Sequence, residues 1–133
     1  MSWGSNSPAG ADSCERHRAS TVLIVDDNVD SREMFALVLE MAGHTVLTAK
    51  DGEEALAVAE TFEPDVIFLD IGMPKADGYA TCQTLRKMQG LERTRIYAVS
   101  GVTGLTHERR CNEAGFDGQI AKPADPDCFR RLV

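Results

Sequence analysis

The feature that most constrains the fold is the run Val-Ile-Phe-Leu-Asp at residues 66–70. Four consecutive apolar residues indicate a strand that is buried on both faces, as strands of parallel sheets are. The run ends at Asp70, and the Ile-Gly-Met-Pro segment that follows prevents the strand from continuing. In open parallel sheets, functional groups gather beyond the carboxyl ends of the strands. Asp70 is therefore the first candidate functional residue.

Strand and helix patterns alternate along the rest of the chain. Further strands are predicted at residues 21–25, 45–49, 95–99 and 119–121. The helix faces expected to pack on the sheet share three- and four-residue spacings of apolar side chains: Met34, Leu37, Val38 and Met41; Ala55, Val58, Ala59 and Phe62; and Cys82, Leu85 and Met88. This order predicts an α/β fold, a doubly wound parallel five-stranded sheet with helices on both faces.

The helices are bounded by residues that favour caps and stops. Asp51 and Asp125 are placed to cap the helices that follow them, whereas Gly43 and Gly115 favour the left-handed conformation that ends a helix. The segment 105–114 is helix-compatible but polar, with His107, Glu108, Arg109 and Arg110 in succession. We therefore expect that helix to have a large solvated or partner-facing surface.

Composition limits the partners and the location of the chain. The formal net charge is -7, and residues 1–19 contribute nothing to it, since two acidic and two basic residues cancel there. This acidity argues against direct binding to nucleic acid or to an anionic membrane. The chain has no apolar run of membrane-spanning length and no apolar signal segment, so we expect a cytoplasmic protein. Residues 1–19 are polar and aperiodic and are interpreted as a disordered tail or a cloning remnant, before one domain at residues 20–133.

The four cysteines give no sign of a metal or disulfide site. Cys14, Cys82, Cys111 and Cys128 lack the close pairing that zinc sites and redox motifs need. In a reducing compartment they are expected to be free thiols, with Cys82 and Cys111 as small core residues.

Polar side chains follow four of the predicted strands. Asp26 and Asp27 follow the first strand, Asp70 ends the third, Ser100 the fourth, and Lys122 comes after the fifth. Taken singly, each has an ordinary explanation, such as a helix cap, a surface acid, a turn residue or a solvated charge. Their convergence on one edge of one sheet favours a common site.

The chemistry of that edge points to phosphoryl transfer. Clustered carboxylates repel one another, which raises their pKa values, and a hard divalent cation such as Mg²⁺ (or Mn²⁺) removes this penalty. The ammonium of Lys122 suits a phosphoryl oxygen, and the hydroxyl of Ser100 adds a donor. Together these groups predict a phosphoryl-transfer site with Asp70 as the nucleophile.

Residues 20–133 resemble a response-regulator receiver domain of two-component signalling. The resemblance rests on the order and spacing of four stretches: LIVDDN, FLDIGMPKADGY, AVSG and IAKP, at residues 23–28, 68–79, 98–101 and 120–123. It implies a flavodoxin-like (βα)5 fold with strand order 2-1-3-4-5. It also implies a phosphoacceptor switch rather than an enzyme, in which Asp70 accepts a phosphoryl group from a phosphohistidine. The donor would be a histidine kinase or a histidine phosphotransfer protein, and the output a contact with a downstream protein.

The same resemblance assigns roles to the other site residues. Asp27 and Asp70 would bind Mg²⁺ directly, together with the main-chain carbonyl of Gly72, and Asp26 would act through water. Ser100 and Lys122 would contact the phosphoryl group. The resemblance also allows a cis peptide between residues 122 and 123, and the Asp-Ile-Gly-Met-Pro segment resembles the receivers of hybrid histidine kinases.

The sequence departs from the receiver pattern at two positions. Gln119 stands three residues before the lysine, where receivers usually carry an aromatic switch residue, and Gly72 has no side chain to shield the phosphoryl group. An aspartyl-phosphate phosphatase is disfavoured because its second acid would fall at Gly72. A flavin-binding module is disfavoured because Asp26 and Asp27 would repel a phosphate. A receiver-like interaction module that is not phosphorylated stays open as the alternative.

Overall fold

The computed structural model describes residues 20–72, 77–101, 104–122 and 125–133. In chain order the elements are β1 (Thr21–Val25), α1 (Val29–Met41), β2 (Thr45–Ala49), α2 (Gly52–Phe62), β3 (Val66–Asp70), α3 (Gly78–Lys87), β4 (Arg95–Ser100), α4 (Leu105–Ala114), β5 (Gly118–Ala121) and α5 (Pro126–Leu132). Every predicted strand and helix is present, and the predicted strand bounds differ from the observed ones by at most one residue. Residues 1–19 lie outside the described residues, so the predicted tail and the boundary at residue 20 stay predictions.

The five strands form one parallel sheet in the order β2-β1-β3-β4-β5. Strand β3 lies at the centre, and all five of its residues are buried, as its uninterrupted apolar run predicts. Asp70 pairs with Val99 of β4, so the carboxyl ends of the two strands are level. The predicted fold class and strand order are confirmed.

Helices cover both faces of the sheet and enclose two cores. The core between the sheet and helices α2, α3 and α4 holds Ala55, Ala59, Cys82, Leu85, Cys111 and Ala114. On the other face, α1 and α5 contribute Phe35, Leu39 and Phe129. The Phe129 ring stacks on Phe35 and on Phe68 of β3, with centroids 4.1 and 4.4 Å apart. This column of rings connects the two helices through the central strand.

The predicted inner face of α1 is wrong. Met34, Leu37 and Met41 are 45, 57 and 78% exposed, whereas Phe35 and Leu39 are buried. The apolar residues of α1 form two neighbouring stripes, the first with Met34, Leu37 and Met41 and the second with Phe35 and Leu39. Spacing alone does not determine which of them faces the core. The stacking of Phe35 on Phe129 selects the second stripe, and the first is left on the surface.

The other helix faces are confirmed in part. Ala55 and Ala59 of α2 are buried, but Phe62 is 56% exposed, because it is the last helical residue before the chain turns at Glu63, which has a left-handed backbone. In α3, Cys82 and Leu85 are buried and Met88, its C-cap, is half-buried. Helix α4 exposes Glu108, Arg109 and Arg110 as predicted, but its His107 is buried.

A hydrogen-bond network closes the edge of the sheet at which the strands begin. The Arg86 guanidinium donates to the carbonyls of Gly115 and Thr94 over 2.7 and 2.6 Å and pairs with the Asp117 carboxylate. The same carboxylate accepts from the Ile96 amide over 2.8 Å. Helix α3, the end of α4 and the start of β4 are therefore tied together at this edge.

The described cysteines match the prediction. Cys82 and Cys111 are buried, Cys128 is half-buried, and these three thiols are free, while Cys14 lies outside the described residues. Burial raises the pKa of the Cys82 thiol to about 12, so it is not ionised at neutral pH. Within the described ranges, no helix has the length and apolarity to cross a bilayer. The cytoplasmic location stays a prediction.

Candidate functional site

Four predicted site residues meet where the strands end. Asp26 and Asp27 follow β1, Asp70 is the last residue of β3, and Lys122 follows β5. Carboxylate oxygens of the three aspartates lie within 4.8 Å of one another. Lys122 Nζ donates to Asp70 Oδ2 over 2.9 Å. The parallel sheet thus brings together residues that are up to 96 positions apart in the chain.

Hydrogen bonds fix the turn that carries Asp26. Its amide donates to the carbonyl of Ala49 in β2 over 3.0 Å, and its Oδ1 accepts from the amide of Asn28 over 2.9 Å. Asn28 then caps α1 by accepting from the amide of Ser31. Arg32 Nη1 donates to the Asp26 carbonyl over 2.8 Å. Asp26 is consequently buried at the start of the site, while Asp27 is exposed.

Asp70 is 3% exposed, and both of its carboxylate oxygens accept hydrogen bonds. Oδ1 accepts from the amide of Gly72 over 2.8 Å, and Oδ2 accepts from Lys122. A Cβ at position 72 would lie 3.3 Å from Asp70 Oδ1 and 3.9 Å from Lys122 Nζ. Glycine therefore leaves free space beside the carboxylate. The predicted role of the Gly72 carbonyl as a metal ligand stays a prediction.

Ser100 lies at the end of β4 and is 3% exposed. Its carbonyl accepts from the amide of Lys122 over 2.8 Å, which places the lysine at the site. A contact of the Ser100 hydroxyl with a phosphoryl group stays a prediction. Pro123 lies outside the described residues, and so does the predicted cis peptide before it.

Charge repulsion and burial perturb Asp26. Burial raises the pKa of Asp26 most, and the carboxylates of Asp70 and Asp27 raise it further, while the Asn28 amide and the Lys122 ammonium oppose the shift. Three carboxylates in close contact form an oxygen-donor set that fits a hard divalent cation. A cation at this place would lower the repulsion that burial makes expensive.

The site opens into a cleft of about 640 Å³. Its lining comprises Asp26, Asp27, Asn28, Ser31, Met34, Phe35, Asp70, Val99 and Lys122. The aspartates can therefore be reached from outside the protein. Sequence reasoning missed Met34 and Phe35 as cleft residues and Arg32 as the residue that holds Asp26. All three lie within ten residues of Asp26 on the first helix, so they could have been sought there.

Gln119 lies away from this cleft. It is exposed on the edge strand β5 and lines a separate groove with residues of α5, including Cys128 and Arg131. An amide side chain stands at this position, as the sequence shows, and its part in switching stays a prediction.

Comparison with known proteins identifies relatives of the chain. Residues 22–133 match the sequence profile described as "Response regulator receiver domain". A probable transcriptional regulator, ycf27, of Cyanophora paradoxa is 38% identical over 109 residues, which cover 79% of this chain and 43% of the relative. The chain thus spans less than half the length of this curated relative.

Solved structures have the same architecture. The chemotaxis protein CheY4 of Vibrio cholerae superimposes with a TM-score of 0.82 at 31% identity, covering 86% of this chain and 96% of that one. The receiver domain of the sensor histidine kinase PA1611 from Pseudomonas aeruginosa has a TM-score of 0.76 at 26% identity, covering 86% and 94%. That structure is described with a magnesium ion coordinated in its active-site cleft.

Proposed function

This chain belongs to the response regulator receiver domain family of two-component signalling, and we propose that Asp70 is its phosphoacceptor. The observation that supports this most is the buried Asp70 carboxylate, which pairs with Lys122 and lies among Asp26 and Asp27. Receivers are phosphoacceptor switches rather than enzymes in the usual sense. The donor we infer is a phosphohistidine of a histidine kinase or of a histidine phosphotransfer protein.

In the proposed reaction, one oxygen of the Asp70 carboxylate attacks the phosphorus of the phosphohistidine. An oxygen–phosphorus bond forms, the phosphorus–nitrogen bond breaks, and its electron pair stays on the imidazole nitrogen of the donor. Lys122 is 2.9 Å from Asp70 Oδ2 and is positioned to pair with a phosphoryl oxygen as negative charge arrives. Ser100, at the end of β4, is proposed to donate its hydroxyl to another phosphoryl oxygen.

The carboxylate cluster is proposed to hold Mg²⁺ (or Mn²⁺). Asp27 and Asp70 would bind it directly together with the Gly72 carbonyl, and Asp26 would bind through water. The ion supplies positive charge for the phosphoryl oxygens, which carry about two negative charges once the aspartyl-phosphate has formed. The oxygen-donor geometry supports this assignment, as does the magnesium in the cleft of the PA1611 receiver.

The test is labelling with acetyl phosphate and with a phosphohistidine donor, with Mg²⁺ and with excess chelator. Asp70→Asn removes the nucleophile, so labelling should be lost. Asp127→Asn is the matched control, since Asp127 is an exposed carboxylate on α5 paired with Arg130. The control should be labelled like the unmodified protein. Labelling of Asp70→Asn at full stoichiometry would contradict the assignment.

The same experiment decides between the two candidate functions. If the unmodified protein takes up no phosphoryl group from either donor in the presence of Mg²⁺, the chain is a receiver-like interaction module. Labelling that persists undiminished in chelator would instead contradict the metal requirement. The proposed output is a change in the surface formed by α4, β5 and α5 that a downstream protein recognises.

A further inference from the structure

Helix α4 begins without the anchor that the other described helices have. Asn28, Asp51, Asp77 and Asp125 cap helices α1, α2, α3 and α5 with side-chain oxygens. The N-cap of α4 is Gly104, which has no side chain for this purpose and a backbone φ of 119°. Of the first four residues of α4 only His107 is buried, while Cys111 and Ala114 face inward further along the helix. Its first turn therefore depends on whatever His107 contacts.

His107 binds Tyr79 of helix α3. Tyr79 Oη and His107 Nδ1 share a hydrogen bond of 2.7 Å, and the histidine is 4% exposed. The other ring nitrogen, Nε2, lies 3.6 Å from Cys111 Sγ. The Arg110 guanidinium lies over the Tyr79 ring, 3.9 Å from its centroid. Helices α3 and α4 are thus joined near their starts by one partly buried polar contact and one cation–π contact.

The tyrosine hydroxyl is available for this bond at neutral pH. Burial raises the pKa of Tyr79, Cys111 and Asp77 raise it further, and Arg110 opposes them. The phenol therefore keeps its proton and can donate it to the imidazole. Because His107 is buried, water cannot replace the tyrosine hydroxyl if the bond breaks, and Nδ1 keeps only a weak contact with Cys111 Sγ at 3.9 Å, which is unfavourable.

Tyr79 and His107 lie on the two helices that follow the strand ends at the site, Tyr79 on α3 after β3 and His107 on α4 after β4. The amide of Ile71, which follows Asp70, donates to the carbonyl of Val99 over 3.1 Å. A Cβ at Gly78 would overlap the Ile71 side chain, so the first turn of α3 packs directly on the residue after Asp70. Helix α4 in turn follows the loop that leaves β4. The strand ends are paired by backbone hydrogen bonds, and the two helices that follow them are paired by the Tyr79–His107 bond.

We propose that Tyr79 and His107 form a latch that holds the first turn of α4 on α3, and that its strength sets how far α4 moves when Asp70 is phosphorylated. The second half of the proposal rests on the proposed function. It assigns to Tyr79 a coupling role at a position other than residue 119, where this chain has glutamine. A strong Tyr79–His107 bond resists the motion of α4 and makes its movement on phosphorylation smaller. A weaker bond allows a larger movement.

The first experiment measures amide hydrogen exchange of residues 108–114 in the unphosphorylated protein. Tyr79→Phe removes the hydroxyl but keeps the ring under Arg110, and exchange should become about five-fold faster, as expected for one lost hydrogen bond. Thr84→Ala is the control, because the Thr84 hydroxyl donates to Ala80 within α3 and leaves α4 untouched. Equal exchange in Tyr79→Phe and the unmodified protein would overturn the latch.

A double-mutant comparison separates the bond from general packing. If the hydrogen bond is what holds α4, His107→Leu should add little to the effect of Tyr79→Phe in the double variant. Fully additive effects would mean that the two side chains act independently, and the latch would be wrong. His107→Gln keeps a polar partner for Tyr79, so amide exchange of residues 108–114 should be slower in this variant than in His107→Leu.

The second experiment adds beryllofluoride with Mg²⁺ as a phosphoryl mimic and records backbone amide shifts. Tyr79→Phe should give larger shifts in α4 than the unmodified protein or Thr84→Ala, whereas equal shifts in all three would overturn the coupling. The amide of Gly72, bonded to Asp70, reports whether the mimic binds. A silent Gly72 in every variant would contradict the proposed function, and the exchange experiment would still decide whether the latch exists.

Discussion

The edge of the sheet at which the strands begin and the edge at which they end differ in how their charged groups are compensated. At the edge where the strands begin, the charged groups of Arg86 and Asp117 satisfy each other and also bind backbone atoms of α4 and β4. At the edge where the strands end, Asp26 and Asp70 are buried beside Asp27, and Lys122 is their cationic neighbour. The first edge is balanced within the chain, and the second carries excess negative charge.

This difference shows how one fold separates stability from function. Buried charges stabilise a protein when partners and hydrogen bonds compensate their desolvation, and they destabilise it when compensation is incomplete. The site edge is incomplete within the chain, and the proposed cation would supply the positive charge that its carboxylates lack. Mutations at the two edges should therefore change stability with opposite sign.

The largest expected effect is at the balanced edge. Arg86→Met keeps the aliphatic part of the side chain but removes two hydrogen bonds to carbonyls and the Asp117 pair. We expect the free energy of unfolding in urea to fall by about 2–3 kcal/mol, less than the full sum of the lost charged hydrogen bonds because Arg86 and Asp117 are partly exposed to solvent. Lys87→Met, at the adjacent exposed position, is the control and should change it by less than about 0.5 kcal/mol. A loss no greater than that of the control would contradict the contrast between the edges.

The next effect is that of the cation itself. Mg²⁺ at ten times its dissociation constant should raise the free energy of unfolding by about 1.4 kcal/mol, because the ion binds the folded site. Arg86→Met should gain the same increment, since its change is at the opposite edge. Sodium chloride at matched ionic strength is the control. Equal stabilisation by both salts would mean that screening, not a site, is responsible.

Removing one repelling carboxylate should stabilise the metal-free protein. The pKa of Asp26 is raised above its ordinary value of 3.8, so its contribution to stability is present below that pH and is lost as pH rises through the raised value. At pH 7 the ionised group is therefore unfavourable, and Asp26→Asn should raise the free energy of unfolding by about 1 kcal/mol.

The gain from Asp26→Asn should disappear as the pH falls below about 4, because the Asp26 carboxyl of the unmodified protein then becomes protonated in the unfolded as well as in the folded state. Urea titrations at pH 7 and pH 3.5 make the comparison, with Asp127→Asn as the exposed control. The same variant should bind Mg²⁺ more weakly. A loss of stability at pH 7 would mean that Asp26 is held by compensated interactions, like the residues of the other edge.

The smallest effect is expected at Gln119. The residue is exposed on the edge strand β5, so Gln119→Tyr should change the free energy of unfolding by less than about 0.5 kcal/mol. If the Tyr79–His107 latch governs the response, the shifts of α4 with beryllofluoride should be nearly those of the unmodified protein. A much larger response would place the control of α4 at β5.

Sequence patterns predicted the sheet and the meeting of the aspartates with Lys122 because both follow from backbone periodicity. An apolar run fixes a strand, and parallel strands necessarily bring their carboxyl ends together. The inner face of α1 could not be predicted, since the choice between Met34 and Phe35 depends on stacking against Phe129, which is 94 residues later.

Contacts between side chains of distant segments were likewise invisible. His107 lies in a run of polar residues that predicts a large solvated or partner-facing surface for its helix, yet this residue is buried and bonded to Tyr79. Arg86 gave no signal, because its acceptors are two carbonyls and a carboxylate that come together only in the folded chain. Such residues are chosen by three-dimensional neighbours rather than by local spacing.

The network around Arg86 also has a consequence for folding cooperativity. Its bonds join residues 86 and 115, and 86 and 117, while nearby bonds join 21 and 65, and 64 and 94. No short segment contains all the partners of these bonds. The edge at which the strands begin should therefore open only when the whole domain unfolds. We expect the first turn of α4, which has no side-chain cap, to open without breaking that edge. Such a local opening needs far less free energy than global unfolding. The start of α4 should therefore open and close many times before the rest of the domain unfolds once.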